Sequence, residues 1–169
     1  MKITQEADYA LRMMCLLTKE TAKGNTPVGA ATLAEGVAVP TRFGLKILSK
    51  LSQAELVKTS RGASGGYSLN VDPKTLTVRR VIEAIDGPIE INRCLSDAHQ
   101  CLNNPNKDCC RLHHVFEELN RHITERLDRL TVATVVDEGV GLGDLLGMVV
   151  ESLVTWKMVS FQQHQKKPL

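Results

Sequence analysis

The stretch "LAEGVAVPTRFGLKILSKLSQAELVKTSRGASGGYSLN", residues 33–70, decides the fold. Leu33 and Ala34 face inward on a short helix halted by Gly36. After a turn of about three or four residues around that glycine, Pro40 or Thr41 starts a second helix whose stripe is Phe43, Ile47, Leu48 and Leu51. Two helices at this spacing form a helix-turn-helix, although any small helical hairpin would read alike. The following residues separate the two readings. Residues 56–59 and 67–69 read as short strands around a tip holding Arg61, Gly62, Gly65 and Gly66, where glycine supplies the positive φ of a tight hairpin. A hairpin directly after a helix-turn-helix is a wing. The expected fold is mainly α with a small β-hairpin wing.

Working outward, residues 3–19 read as a helix with Thr4 as N-cap and Ala7, Ala10, Leu11, Met14 and Leu17 recurring at three and four. Downstream, Asp72 and Pro73 make a turn, and Val78, Val81, Ile82 and Ile85 stripe another short helix closed by Gly87 and Pro88. Residues 111–130 carry Val115, Phe116, Leu119, Ile123, Leu127 and Leu130 at helical spacing, with Glu117, Glu118, Arg121, Glu125 and Arg126 outside. So little domain remains to cover this stripe that a second copy of the chain is the expected partner. The division is a winged helix-turn-helix domain at 1–88, a cysteine-rich loop at 89–110, a dimerisation helix at 111–137 and a helical carboxy-terminal extension at 138–169.

Composition is that of an ordinary globular protein, 43% hydrophobic and 24% charged, with few aromatics and hence an aliphatic core. The apolar part of the amino terminus is too short and interrupted for a signal peptide or membrane span, so no membrane partner and a cytoplasmic location are expected. The net charge of +2 hides an asymmetry: residues 1–81 carry twelve basic against six acidic side chains, and the remainder is net acidic. A basic first half suits nucleic acid. No nucleophile–base pair, phosphate loop or paired carboxylates stand out, which argues against an enzyme.

"CLSDAHQCLNNPNKDCCRLHH", residues 94–114, concentrates four of the five cysteines and three of the five histidines. In a reducing compartment such clusters are metal ligands or redox thiols more often than disulfides. Spacing alone allows structural zinc on Cys94, Cys101, Cys110 and His113, and equally an iron-sulfur cluster. A metal-free thiol switch involving Cys109 and Cys110 is a further alternative. Cys15, beside Met14, reads as a small buried hydrophobe.

The order "ITQEADYALR", then "LAEGVAVPTRFGLKILSKLSQAELVKTSRGASGGYSL", then "VIEAIDGPI", then "RC" with a cysteine loop resembles the bacterial Rrf-type winged-helix regulators over about residues 1–137. The resemblance implies a homodimeric transcription factor whose DNA affinity is set by an iron-sulfur cluster. It also implies three cysteine ligands, placed by position at Cys94, Cys101 and Cys110, with Cys109 as a substitute for the third. The fourth ligand is Asp8 from the partner subunit in the nitric-oxide-sensing, [4Fe-4S] branch, or His113 in the iron-sulfur-assembly, [2Fe-2S] branch; Asp8 is preferred. The chain departs from the family pattern in its long ligand spacings. Leu45 stands where one branch has an acid used in base discrimination, and the chain continues beyond Asp137.

Function follows as expectation: a repressor binding double-stranded promoter DNA, controlled by a cluster that senses nitric oxide, redox state or iron supply, with cluster-assembly proteins as further partners. Thr41, Arg42, Leu45 and Lys46 form the exposed side of the second helix, with Arg42 reading guanine O6 and N7. Lys50, Lys58 and Arg61, with the backbone at Gly62, contact phosphates. The rival reading is a metal or cluster carrier that does not bind DNA.

Overall fold

A computed structural model describes residues 3–62, 64–96 and 110–150. Helix α1 (Gln5–Ala22) starts where the sequence predicts: the Thr4 hydroxyl accepts from Ala7 N at 3.2 Å. Thr4 also reaches across the fold, donating through its backbone N and its hydroxyl to the Asp86 carboxylate at 3.0 and 2.6 Å. The buried face is Ala7, Ala10, Met13, Met14 and Leu17. Met13 was absent from the predicted stripe, whereas Leu11 is only half-buried.

Helices α2 (Ala30–Gly36) and α3 (Thr41–Gln53) make the predicted helix-turn-helix. Gly36 serves it differently from expectation. It is the last residue of α2, and a Cβ there would run into the Leu16 side chain of α1. The left-handed residue of the turn is Ala38, with φ 56°. Gly44 of α3 fits the crossing with α2, since a Cβ would lie 2.8 Å from that of Ala34. Ile47, Leu48 and Leu51 then enter the core with Leu17, Leu33 and Leu56. Each such aliphatic side chain contributes about 1.5–3 kcal/mol when removed from water.

Strands β1 (Val57–Ser60) and β2 (Gly66–Leu69) pair antiparallel, Val57 opposite Leu69 and Ser60 opposite Gly66. Val28 joins them through a reciprocal backbone pair with Tyr67, at 2.9 and 2.8 Å. Only glycine fits at 66, where a Cβ would strike the Val28 carbonyl. Thr77 caps α4 (Val78–Asp86) by accepting from Arg80 N, and Gly87 ends it at φ 80°. The mainly helical fold with one hairpin is thus the one the sequence predicts.

A one-turn 3-10 segment (Arg93–Leu95) leads toward the cysteine loop, and α5 (Arg111–Arg129) follows it. The helix predicted from residue 111 stops at Arg129. The chain then turns back into the head, where Val78 N donates to Leu130 O and Val132 N to Leu76 O, both at 2.8 Å, and Ala133 N to Pro73 O at 3.0 Å. Short helix α6 (Val132–Val136) buries Val132 completely and packs on α1. Helix α7 (Leu142–Val150) packs against α5. Of the helical extension expected at 138–169, residues 151–169 lie outside the described residues.

Candidate nucleic-acid interface and cysteine segment

Because Ile47, Leu48 and Leu51 anchor one side of α3, its other side is turned to solvent: Thr41, Arg42, Leu45 and Lys46 are all exposed. Phe43, at the edge of the buried side, meets the Tyr9 ring edge-on at 6.0 Å between centroids. Lys58 and Arg61 are exposed on the wing, and Gly62 at its tip has φ 113°. Arg42, Lys46, Lys58 and Arg61 are thus the exposed cations of α3 and the hairpin.

Lys50 is placed differently from those four. It is half-buried, its Nζ lies 3.1 Å from Glu6 Oε2 and it donates to the Ile85 carbonyl of α4 at 3.3 Å. The same Glu6 oxygen lies 3.3 Å from Lys46 Nζ, one helical turn away. Glu6 Oε1 is buried without a hydrogen-bond partner among the described residues. Sequence reasoning missed Glu6, whose only signal was an acid in the first turn of α1, equally explained by the helix dipole.

The described flanks of the cysteine segment hold two of the predicted thiols. Cys94 lies in the one-turn segment, where its N donates to Asn92 Oδ1 at 3.2 Å; Cys110 is the residue before α5, and its side chain makes no capping bond. Both thiols are free and half-buried. His113 follows Cys110 by one turn, half-buried, with Nδ1 buried and unpartnered among the described residues. Buried polar groups normally find partners, so this nitrogen is the unmet valence of the segment. Cys101 and Cys109 lie outside the described residues, and the described ones include no group of three His, Cys, Asp or Glu able to hold a metal. Asp8, the other predicted ligand, accepts from Arg12 Nε at 2.9 Å on the exposed face of α1. Two free thiols and an open imidazole nitrogen fit the donor chemistry of an iron-sulfur cluster or zinc. Cys15 stands apart, packed half-buried against the core, where burial pushes its thiol up.

Two contacts tie the part of the chain before the segment to α5. Ile91 N donates to Asn120 Oδ1 of α5 at 3.1 Å, and Arg79 of α4 pairs with Asp128 of α5 at 2.9 Å and with Glu83 at 3.0 Å. Those carboxylates hold the Arg79 guanidinium above its ordinary range, Asp128 contributing most. Beyond the ties, α5 shows solvent an apolar row: Leu112 is 67%, Val115 54% and Leu119 48% exposed. Among the described residues no helix is long and apolar enough to cross a membrane.

A helix-turn-helix with a wing, carrying exposed cations and followed by a helical arm, defines a winged-helix DNA-binding regulator. The Rrf2 family model, described as "Iron-dependent Transcriptional regulator", matches residues 3–138, and the chain belongs to that family. It is 34% identical over 148 residues to an rrf2-like HTH-type transcriptional regulator of Rhodobacter capsulatus, covering 85% of this chain and 98% of the relative. It is 30% identical to the HTH-type transcriptional regulator IscR of Sodalis glossinidius, over 80% of this chain and 79% of that protein. The solved structure of CymR, the global cysteine regulator of Bacillus subtilis, superposes with a TM-score of 0.65 at 26% identity, over 80% of this chain and 96% of that one. The protein is a transcriptional regulator and not an enzyme, as the sequence predicts.

Proposed function

We propose that the chain is a homodimeric repressor whose affinity for promoter DNA is set by an iron-sulfur cluster at the head of α5. The observation that carries the cluster assignment is the buried, unpartnered Nδ1 of His113 one turn after the free, half-buried Cys110 thiol. Iron is favoured over zinc by the family's description as iron-dependent and by the IscR relative. Cys94, Cys101 and Cys110 supply thiolates. His113 supplies the fourth donor in preference to the partner's Asp8, because Asp8 is already engaged by Arg12 within its own chain.

When bound, such a cluster supplies a centre that oxidants, nitric oxide or iron scarcity can alter, and a non-thiolate ligand leaves one iron more weakly held. The chain's own part is mechanical. The Ile91–Asn120 and Arg79–Asp128 contacts join the head to α5, and Cys94 and Cys110 stand at the two ends of the segment between α4 and α5, so a group bound there couples head and arm. Two heads must meet half-sites about one turn of DNA apart, so a small change in the angle between head and arm is felt as affinity. Arg42 reads a guanine edge from α3, while Lys58 and Arg61 contact phosphates from the wing. Dimerisation along Leu112, Val115 and Leu119 is supported by their exposure on one helical face.

The test is protein purified without air, its visible spectrum, and its iron, sulfide and zinc content. Broad visible absorption with matched iron and sulfide is expected, and both lost in Cys94→Ala, Cys101→Ala and Cys110→Ala but kept in Cys109→Ala. Cluster loss in His113→Ala with retention in Asp8→Ala assigns the fourth ligand; the reverse result moves it to the partner's Asp8. A colourless protein with stoichiometric zinc sinks the cluster sensor and leaves a structural clip.

A further inference from the structure

We propose that Leu45 is a specificity-determining residue that reads the 5-methyl group of a thymine lying within two base pairs of the guanine bound by Arg42. This rests on the reading of α3 as the helix that enters the major groove.

Between residues 30 and 70 the large apolar side chains are buried or half-buried with one exception among the described residues: Leu45, at 45% exposure. A single leucine in solvent needs no explanation on an ordinary surface, but this one stands on the face that meets DNA. Gly44, Ile47, Leu48 and Leu51 hold the other side of α3 in the core, with Gly44 so close to α2 that a Cβ would lie 2.8 Å from that of Ala34. That packing fixes the rotation of the helix and leaves Thr41, Arg42, Leu45 and Lys46 outward. All four belong to the amino-terminal half of α3, the part of a recognition helix that meets base edges. No Asp or Glu stands on α3 itself, so the helix offers phosphates no repulsion of its own.

Docking strips water from Leu45, and the gain depends on what replaces that water. The major-groove edges of guanine, adenine and cytosine present hydrogen-bond donors and acceptors, which an aliphatic side chain would desolvate and leave unpaired. Thymine alone adds an apolar group there, its 5-methyl. A leucine against that methyl buries apolar surface on both sides. The position of the thymine follows from helix geometry. Leu45 comes three residues after Arg42, a rise of about 4.5 Å along an α-helix. Base pairs are spaced about 3.4 Å apart, so the two side chains address base pairs one or two steps from each other.

The test uses fluorescence anisotropy of the full protein on an operator duplex selected by the unaltered protein from a randomised library made with unmethylated cytosine. Each thymine in turn is replaced by deoxyuridine, which removes the 5-methyl and keeps the base pairing. One thymine in each half-site, within two base pairs of a guanine whose 7-deaza analogue weakens binding, is expected to show a penalty of about threefold to fourfold, one methyl's worth, and about tenfold when both half-sites carry uracil. The slope of log K against log salt should be the same on thymine and uracil duplexes, since a methyl contact releases no counterion. With Leu45→Ala, the thymine and uracil duplexes should bind equally. The uracil scan leaves the protein unaltered, so it reads the contact even if Leu45→Ala does not fold.

A selected operator that tolerates uracil at every thymine overturns the proposal and leaves the DNA-reading role of α3 standing. A uracil penalty that persists in Leu45→Ala overturns it too, by assigning the methyl to another side chain or to duplex shape; loss of the penalty in Thr41→Ser alone would name Thr41. A Leu45-dependent penalty found only further than two base pairs from that guanine overturns the stated register. If the library yields no preferred sequence, the interface on α3 falls together with the proposal.

Discussion

The head, from α1 through the hairpin to α4, and the arm, from Arg93 to the end of α5, treat their side chains in opposite ways. In the head the large apolar residues close on one another: Met13, Leu17, Leu33, Ile47, Leu48 and Leu51 are all at or below 1% exposure. In the arm, α5 buries a single residue, Thr124, and leaves its apolar row in solvent, while Cys94 and Cys110 are outside any disulfide and His113 Nδ1 has no hydrogen-bond partner among the described residues. The head is complete within one chain. The arm is where the proposed second copy, along Leu112, Val115 and Leu119, and the proposed bound group, at its amino-terminal end, would complete the structure. A regulator needs that division, because the signal must act where the structure can change without dissolving the DNA-reading surface.

Three substitutions probe the division, from the largest effect downward. Val115→Asp puts a charge in the centre of the exposed row; sedimentation velocity should show the proposed dimer replaced by a monomer at micromolar concentration, with the far-ultraviolet circular dichroism of the head kept. A dimer that survives would mean that the row is covered some other way. Leu48→Ala removes a side chain that α3 buries completely and should cost about 2–5 kcal/mol in urea denaturation. That loss should be the same with and without bound iron if the head is self-contained; a loss that disappears on iron binding would show the two regions to be one cooperative unit.

The smallest of the three tests the seam. Thr4→Ala removes the N-cap of α1 and the hydroxyl hydrogen bond to Asp86, and leaves the backbone one that also joins α1 to the end of α4. About 1 kcal/mol should be lost in the same denaturation experiment. If the seam is only structural, the salt dependence of DNA binding stays as it was. A changed salt slope would mean that the first turn of α1, where Glu6 sits, needs Thr4 to hold its place against α3.

Much of the head was legible because its signals are local. Thr4 marks the start of α1 through its own hydroxyl, and Gly87 ends α4 through its own φ. The periodicity of α3 gave its buried face because 3.6-residue spacing is set by the backbone alone. What stayed hidden depended on neighbours distant in sequence. Gly36 looked like a turn residue, yet its lack of a Cβ is needed by Leu16, twenty positions away, and the left-handed turn residue is Ala38. Val132 read as part of a continuing dimer helix, but three backbone hydrogen bonds to the segment before and at the start of α4 turn it inward.

At the candidate site, the ligand-type residues could be recognised by their crowding between residues 94 and 114 and the DNA-facing side of α3 by its polarity. The sequence by itself determined the helix-turn-helix, the wing, and Val115 and Leu119 of the exposed row of α5, though not Leu112, since these follow from side-chain chemistry read at fixed backbone periods, and it gave the set of soft donors by their crowding. Only the tertiary structure decided that Lys46 and Lys50 share Glu6 and that the chain after α5 returns to the core. Those outcomes turn on distances of about 3 Å between residues far apart along the chain, and no local pattern encodes which charged or polar groups the packing of helices will bring that close.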